Sequence, residues 1–200
     1  MVNNDSLATW FPYVIRRAQK EVNAHLEILS DDQEHSLDYL KSGEAFAALT
    51  ATEQNVQGFR RSSLGDMEYT AVASTEFYRK NLESGATLQS LSAAPSILFD
   101  RKDQLPYQWL SRAFGETGDL NAMMIPSYEG YMACINSGAG WGLMPTVSVA
   151  RQLRSGQLVE LVPETRINVP LYWHSSSQGA ELFRKLANIV SEEARKRLTP

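Results

Sequence analysis

Apolar side chains recur along the chain with two different periods, and these periods predict its helices and strands. Residues 11–22 and 181–198 carry apolar positions at helical spacing, so each segment predicts an amphipathic helix. Residues 25–29 alternate polar and apolar positions, and residues 45–49 form a continuous apolar run typical of a strand buried on both faces. Helices and strands therefore alternate, which predicts an α/β fold with a mainly parallel sheet.

The rest of the chain continues this alternation of short strands and helices. Strands are predicted over residues 58–73, 96–100, 122–125, 141–144, 158–162 and 169–174. Helices are predicted over residues 75–78, 109–114, 128–135 and 147–153. No repeat, low-complexity linker or charge block interrupts the pattern, and 200 residues fit one large domain or two small ones.

The stretch SGAGWGLMP, residues 137–145, contains three glycines in five positions and raises the question of a phosphate-binding loop. A dinucleotide-binding fingerprint needs a strand before its glycines and a helix after them, and here the order is reversed. No Lys-Ser/Thr pair follows, as it does in a P-loop. The stretch instead predicts a helix end at Gly138, a tight or left-handed turn through Gly140, and a strand in which Gly142 allows close backbone approach.

Charge and cysteine content restrict the class of protein further. The formal net charge of −4 argues against a chain that binds nucleic acid by itself, because that usually requires a basic surface. The single cysteine, Cys134, cannot form an internal disulfide, as is usual in a reducing cytosol. No signal-peptide pattern follows Met1, and no apolar run reaches the length of a membrane span. The sequence therefore predicts a soluble, cytoplasmic domain without membrane partners.

Candidate catalytic groups are scattered rather than clustered. Cys134 and His174 are a conceivable nucleophile and base, but Cys134 lies in an apolar helical segment where a small buried side chain is the ordinary role. The three histidines stand singly and without metal-ligand spacing. We therefore expect no enzyme activity, no metal and no cofactor.

Several of these segments carry a resemblance to a known family. Residues 137–145 resemble the G-x-G-x-x-x-(L/M)-P signature in the effector domain of LysR-type transcriptional regulators. The segments DSLATW (5–10), FD (99–100), PSYE (126–129) and LYWH (171–174) are similar to the arginine/lysine-responsive branch of that family, also described as chromosome-initiation inhibitors. The resemblance covers nearly the whole chain in the same order.

The resemblance implies a fold and an assembly. It implies two Rossmann-like α/β subdomains joined by two crossover strands, as in type 2 periplasmic binding proteins, with the ligand in the cleft between them. Residues 1–72 and 172–200 would form subdomain I, and residues 73–171 would form subdomain II. The family's N-terminal winged helix-turn-helix is not in this sequence, so DNA contact is expected only through the parent chain. That parent is expected to form dimers or tetramers.

A basic amino acid, lysine or arginine, is the effector that the resemblance implies, and it makes two chemical demands. Its carboxylate requires N–H groups at a helix N-terminus and hydroxyl donors. Its cationic groups require acids, and each charge-assisted hydrogen bond contributes roughly 1.5–3 kcal/mol. The candidates for the carboxylate are Ser6, Leu7, Ala8, Thr9, Thr50, Thr52 and Ser127. The candidates for the cations are Asp31, Asp32, Asp100 and Glu129, with Phe99 and Trp173 as aromatic neighbours.

Structural alternatives remain open for most of these residues. Ser6, Asp31 and Ser127 suit helix caps without any ligand, and Phe99 and Trp173 suit core aromatics. Asp100 is the strongest candidate, because an acid that ends a buried strand has no evident capping role. The sequence thus predicts a ligand-sensing regulatory domain. A stand-alone periplasmic-type amino-acid-binding module is the main alternative, and an enzyme on the same fold is a third.

Overall fold

The computed structural model describes residues 1–22, 25–30, 36–177 and 181–200. Its helices are α1 (Asn4–Thr9), α2 (Phe11–Val22), α3 (Ser36–Ser42), α4 (Thr75–Asn81), α5 (Leu88–Ala93), α6 (Leu105–Phe114), α7 (Tyr128–Asn136), α8 (Thr146–Ser155) and α9 (Glu181–Arg195). Its strands are β1 (Ala47–Thr50), β2 (Phe59–Ser74), β3 (Pro95–Leu98), β4 (Asn121–Met124), β5 (Gly142–Pro145), β6 (Leu158–Glu160) and β7 (Ile167–Ser176).

The chain forms two compact units that are interleaved along the sequence. Unit 1 consists of Met1–Met67 and Val169–Pro200, and unit 2 consists of Glu68–Asn168. The division that the resemblance implies has its boundaries at 72/73 and 171/172, five and three residues further along the chain than these. The long strands β2 and β7 contain the residues at which the chain passes from one unit to the other.

The sheet of unit 1 is extended by the first residues of the chain. The Met1 amino group donates to the Ala47 carbonyl oxygen (2.9 Å), and the Leu49 N–H donates to the Met1 carbonyl oxygen (3.0 Å). This alternation is the hydrogen-bond pattern of parallel neighbours. On its other side β1 is antiparallel to β7, with Thr50 opposite Tyr172.

Two expectations about strands are wrong. Residues 25–29 contribute a hydrogen bond from the Val2 N–H to the Leu29 carbonyl oxygen (2.9 Å), but no strand is assigned among the described residues 25–30. The expected mainly parallel sheet is in fact mixed. The pairs β1–β7, β2–β5 and β2–β6 are antiparallel, whereas β3–β4 is parallel. The antiparallel pairs all involve the long strands β2 or β7. The expectation failed because the periodicity along one strand carries no information on the direction of the neighbouring strands.

Amphipathic helices cover the core of unit 1. Helix α2 has the bounds that its apolar spacing predicts, and it buries Phe11, Val14 and Ala18. It packs against α9, which buries Ile189, Val190 and Ala194 among others. Helix α9 ends at Arg195, three residues before the predicted end. The spacing of apolar positions in both segments is therefore the spacing that their mutual packing requires.

Unit 2 contains two groups of paired strands, of which the first belongs to the five-stranded sheet β1-β7-β2-β5 with β6 paired to β2. Strand β2 pairs with β5 and β6, while β3 and β4 form a parallel pair that a bridge between Ser96 and Trp141 extends. One buried cluster joins these strands to α7 and α8, and its members are Val72, Ile97, Tyr131, Ile135, Met144, Val149 and Leu158.

The glycines of residues 137–145 each have a different structural role. Gly138 has a φ of 75°, and it ends α7 in a Schellman motif: its N–H donates to the Ile135 carbonyl oxygen, and the Ala139 N–H donates to that of Cys134. A Cβ at Gly140 would lie 3.0 Å from the Pro95 carbonyl oxygen, so this position needs close approach rather than a left-handed turn. The architectural interpretation is confirmed, but the left-handed residue is Gly138.

The described helices include none with both the length and the apolar character that crossing a membrane requires.

Candidate functional site

The candidate residues of unit 1 meet where parallel strands end. Because Met1 and β1 are parallel neighbours, the start of α1 and the end of β1 lie at the same edge of the sheet. The Ser30 hydroxyl donates to the Asn4 side-chain oxygen (2.6 Å), which adds the segment after residues 25–29 to this edge. We call this group the unit 1 edge; its residues are Asn3, Asn4, Ser6, Ser30, Thr50, Thr52, Glu53 and Tyr172. Asp31 and Asp32 follow Ser30 but lie outside the described residues.

Helix α1 begins earlier than the sequence indicates. Its N-cap is Asn3, whose side-chain oxygen accepts the Ser6 N–H (3.3 Å), so the interpretation of Ser6 as the cap is wrong. Asn3 is extended (φ −68°, ψ 153°), as an N-cap requires. The Leu7 N–H donates to the Asn3 carbonyl oxygen (3.0 Å). The N–H groups of Ser6 and Leu7 therefore already have acceptors inside the chain.

Among the candidate residues 6–9, the Ser6 hydroxyl is the side-chain donor that remains for a ligand. The Ser6 side chain is fully buried, and its Oγ has no hydrogen-bond partner among the described residues. The Thr9 hydroxyl donates to the Asp5 carbonyl oxygen (2.6 Å), and Ala8 is exposed. A buried hydroxyl without an acceptor is costly unless something else binds it. Ser6 is thus the residue of this segment with unused hydrogen-bonding capacity.

Two threonines shape the turn that follows β1. Thr50 is buried, and its hydroxyl donates to the Thr52 carbonyl oxygen (3.2 Å). The Thr52 Oγ1 accepts the Gln54 N–H (3.3 Å). Both hydroxyls therefore hold the local backbone, and the turn presents the next residue, Glu53, at the unit 1 edge.

Glu53 is a charged member of this edge that the sequence reasoning missed. The Tyr172 hydroxyl donates to the Glu53 carboxylate, and this bond is the main reason that the pKa of Tyr172 is raised. Arg61 donates to the Glu53 carbonyl oxygen, and its guanidinium carbon lies 5.2 Å from the centroid of the Tyr172 ring. The sequence feature that could have identified Glu53 is its position directly after the candidate residue Thr52.

Trp173 and His174 lie inside unit 1. The Trp173 ring is 6.1 Å from that of Phe11, centroid to centroid, and its Nε1 has no hydrogen-bond partner among the described residues. Trp173 is 3% exposed, which is the burial of a core aromatic. His174 is fully buried, and burial lowers its pKa. His174 therefore favours the neutral form.

The candidate residues of unit 2 meet at a second edge. Strands β3 and β4 are parallel, so the residues that follow them lie side by side. This arrangement brings Phe99 and Asp100, after β3, close to the start of α7, after β4. We call this group the unit 2 edge; its residues are Phe99, Asp100, Asp103, Ser127 and Glu129.

Asp100 has the local role that its sequence position did not reveal. Its Oδ1 accepts the N–H groups of Lys102 (2.7 Å) and Asp103 (3.0 Å). Asp103 in turn accepts the N–H groups of Phe99 (3.0 Å) and Leu105 (3.1 Å). The expectation that Asp100 has no capping role is therefore wrong, because the turn between β3 and α6 leaves backbone donors that these two carboxylates satisfy.

Ser127 and Glu129 begin α7. The Ser127 Oγ accepts the Gly130 N–H (3.2 Å), which confirms the predicted cap, and its hydroxyl donates to the Glu129 carboxylate (3.3 Å). Glu129 is exposed in the first helical turn, where an acid balances the helix dipole. Within the described ranges, no three His, Cys, Asp or Glu side chains are grouped so as to hold a metal ion.

Comparison with known proteins gives the family. A model of the LysR substrate binding domain matches residues 3–195. The HTH-type transcriptional regulator ArgP of Pseudomonas fluorescens is 34% identical over 199 residues, which is 100% of this chain and 66% of that protein. The chain thus spans about two thirds of the length of the curated relatives that it matches.

Solved structures agree in fold. The C-terminal domains of a LysR family protein from Agrobacterium tumefaciens are 36% identical with a TM-score of 0.96, over 100% of this chain and 96% of that chain. Full-length LysG from Corynebacterium glutamicum with bound effector arginine is 30% identical with a TM-score of 0.87, over 100% of this chain and 68% of that chain. The two-part α/β fold expected from the sequence, similar to type 2 periplasmic binding proteins, is confirmed. The chain belongs to the LysR substrate binding domain family, as a ligand-binding regulatory domain related to ArgP and LysG.

Proposed function

We propose that this chain is the effector-sensing domain of a DNA-binding transcriptional regulator and that its effector is lysine or arginine. The observation that carries this proposal is the similarity to LysG with bound effector arginine, which extends over the whole chain at 30% identity. The curated relatives are named as transcriptional regulators, which favours sensing over solute transport or catalysis.

The chemistry of the two edges supports a basic amino acid. Ser6 offers a buried hydroxyl without a partner among the described residues at the unit 1 edge, and a hydroxyl is a suitable donor for a ligand carboxylate. Glu129 and Asp100 offer carboxylates at the unit 2 edge for cationic groups. A ligand that uses one charge-assisted bond of about 1.5–3 kcal/mol is preferred over its neutral analogue by roughly one to two orders of magnitude. The ligand roles of these residues remain predictions.

Regulation through such a domain follows from linkage. An effector that binds one arrangement of the domain better than another shifts the population toward that arrangement. In the parent regulator, a dimer or tetramer in the cytoplasm, the shift would change how the DNA-binding domains sit on their operator. The parent's DNA contact, oligomer and location are parts of this proposal.

A thermal-shift series tests the proposed ligand class. The purified chain is melted with lysine, arginine, histidine, glutamate or phenylalanine over a concentration range. A ligand at about a hundred times its Kd stabilises the folded state by roughly 2.7 kcal/mol, so lysine or arginine is expected to raise the Tm by several degrees. A response to glutamate or phenylalanine without any response to lysine or arginine would contradict the proposal.

A further inference from the structure

We infer that Glu53 selects the positive charge of the effector side chain and that Tyr172 is the residue that positions the Glu53 carboxylate. This inference rests on the proposed function, because it names the group that distinguishes a basic amino acid from a neutral one. It concerns a residue outside the set that the sequence reasoning selected.

The position of Glu53 suits contact with a ligand. Glu53 lies at the unit 1 edge, directly after Thr52 and close in sequence to buried Thr50. The register of β1 and β7 places Thr50 opposite Tyr172, so the tyrosine lies beside the turn that carries Glu53. Glu53 itself is exposed, which leaves its carboxylate accessible to a ligand.

The Glu53 carboxylate has unused hydrogen-bonding capacity. Its bond to the Tyr172 hydroxyl is a bond to a neutral donor, and no cation of the described residues pairs with it. A carboxylate has about four acceptor positions, so a single hydroxyl leaves most of this capacity unused. The Tyr172 ring is buried, and it therefore holds its hydroxyl, and through it Glu53, in one place.

The other edge acids that the structure describes have local structural roles. The Asp100 Oδ1 accepts two backbone N–H groups of its own turn. Glu129 lies in the first turn of α7, where it balances the helix dipole. Glu53 lies in the segment between β1 and β2 and has neither role. The orientation of Glu53 by Tyr172 therefore serves neither a turn nor a helix dipole, and we assign it to ligand binding.

A guanidinium group of the chain itself already lies beside Glu53. Arg61 donates to the Glu53 carbonyl oxygen, and its guanidinium lies over the Tyr172 ring at 5.2 Å. Guanidinium groups are attracted to aromatic faces and to nearby acceptors. Arg61 is exposed and bonds the backbone rather than the carboxylate. The surroundings of Glu53 thus suit the charge and shape of an arginine side chain.

Calorimetric titration with a charged and an uncharged ligand tests this inference. Arginine, lysine and citrulline, the neutral analogue of arginine, are titrated into the wild type and into Glu53→Gln. We expect the substitution to weaken the affinity for arginine and lysine by about 10-fold or more, and to change the affinity for citrulline by no more than about twofold. Glu53→Asp is expected to retain the preference for arginine over citrulline. Glu44→Gln, an exposed acid just before β1, is the matched control and is expected to bind as the wild type does.

Tyr172→Phe tests the positioning role. Loss of the hydroxyl is expected to reduce the arginine-to-citrulline preference by less than Glu53→Gln does, and to leave the affinity for citrulline unchanged. An equal loss of affinity for arginine, lysine and citrulline would show that Tyr172 only maintains the fold, and would overturn its assigned role.

The outcomes separate this inference from the proposed function. If the wild type binds arginine or lysine and Glu53→Gln binds them equally well, the inference is overturned while the proposed function stands. If Glu53→Gln loses affinity for arginine and for citrulline to the same extent, Glu53 does not distinguish a charged from a neutral side chain, and the inference is again overturned. If the wild type binds neither basic amino acid, the proposed function and the inference both fail.

Discussion

At the scale of single residues, Tyr131 shows how one side chain organises a core. Its hydroxyl donates to the Ile97 carbonyl oxygen (2.6 Å) and accepts the Leu143 N–H (3.1 Å), so it joins β3 to β5 from within α7. Its ring lies directly against Gly142, where an added Cβ would come within 2.8 Å of two ring carbons. Because two backbone groups hold the hydroxyl, the ring cannot move aside cheaply.

Gly142→Ala is therefore expected to destabilise the protein by about 2–3 kcal/mol, as overpacked cores do. Gly115→Ala is the matched control in the same unit, because Gly115 also needs glycine (φ 79°) but has no atom within 4 Å of an added Cβ. The control is expected to cost about 1 kcal/mol from backbone strain alone. Urea unfolding of both variants measures the difference, and equal costs would rule out the packing argument.

The residue scale also shows where sequence reasoning stops. The Ser127 cap was predictable, because a hydroxyl before a helical segment has one common use and its bonds are local. The bonds of Asp100 are equally local, but they depend on a turn whose shape the sequence does not display. Glu53 was missed because its partner, Tyr172, lies 119 positions away in the chain.

At the scale of elements, α2 and α9 are joined by charges as well as by apolar packing. Glu193 of α9 is buried, and it pairs with Arg17 of α2 (3.0 Å), with Lys196 (2.8 Å) and with Arg197. Burial alone would raise the pKa of Glu193, but the hydrogen bonds from Lys196 and Arg17 and the charge of Arg197 outweigh it and lower the pKa to about 2. The buried carboxylate therefore remains charged and paired.

A lowered pKa makes this contribution depend on pH. Above the ordinary pKa of 4.5 the ionised Glu193 stabilises the folded state, and the stabilisation is lost as the pH falls from there toward 2. Glu193→Gln is expected to lower stability by about 2–3 kcal/mol at neutral pH. The difference from the wild type should shrink as thermal melts are carried from pH 6 down to pH 2.5.

Glu192→Gln is the control for this prediction. Glu192 also pairs with Arg17 (2.8 Å), but its side chain is 51% exposed, so the pair is expected to contribute less than about 1 kcal/mol. A constant difference between Glu193→Gln and the wild type at every pH would contradict the assigned pKa.

The long helices α2 and α9 were predictable from their period, whereas the short helix α5 was not. The amphipathic spacing of α2 and α9 extends over three or more turns, so it identifies both helices. Helix α5 was missed because its six residues, Leu88–Ala93, are too few to display a period. Its stability comes from a capping box of Thr87 and Ser90, and its Leu91 carbonyl accepts the buried Trp141 indole N–H (3.0 Å). The hydrogen bond between Trp141 and Leu91 joins residues 50 positions apart, so the local sequence of α5 does not indicate it.

At the scale of the whole molecule, the two-unit organisation follows from the order of elements along the chain. Unit 1 takes its residues from both ends of the chain and unit 2 from the middle, with β2 and β7 as the connecting strands. Each unit has parallel neighbours whose ends form an edge with polar side chains. The alternation of helices and strands predicted an α/β fold, whereas the division into two interleaved units was an expectation from the resemblance.

The central claim is that this domain binds a basic amino acid, and direct calorimetric titration of the wild-type chain with arginine and lysine tests it most directly. We predict saturable binding of one ligand per chain by at least one of the two, and no saturable heat with glutamate under the same conditions. Absence of heat with both basic amino acids, together with saturable binding of glutamate or an aromatic amino acid, would contradict the account.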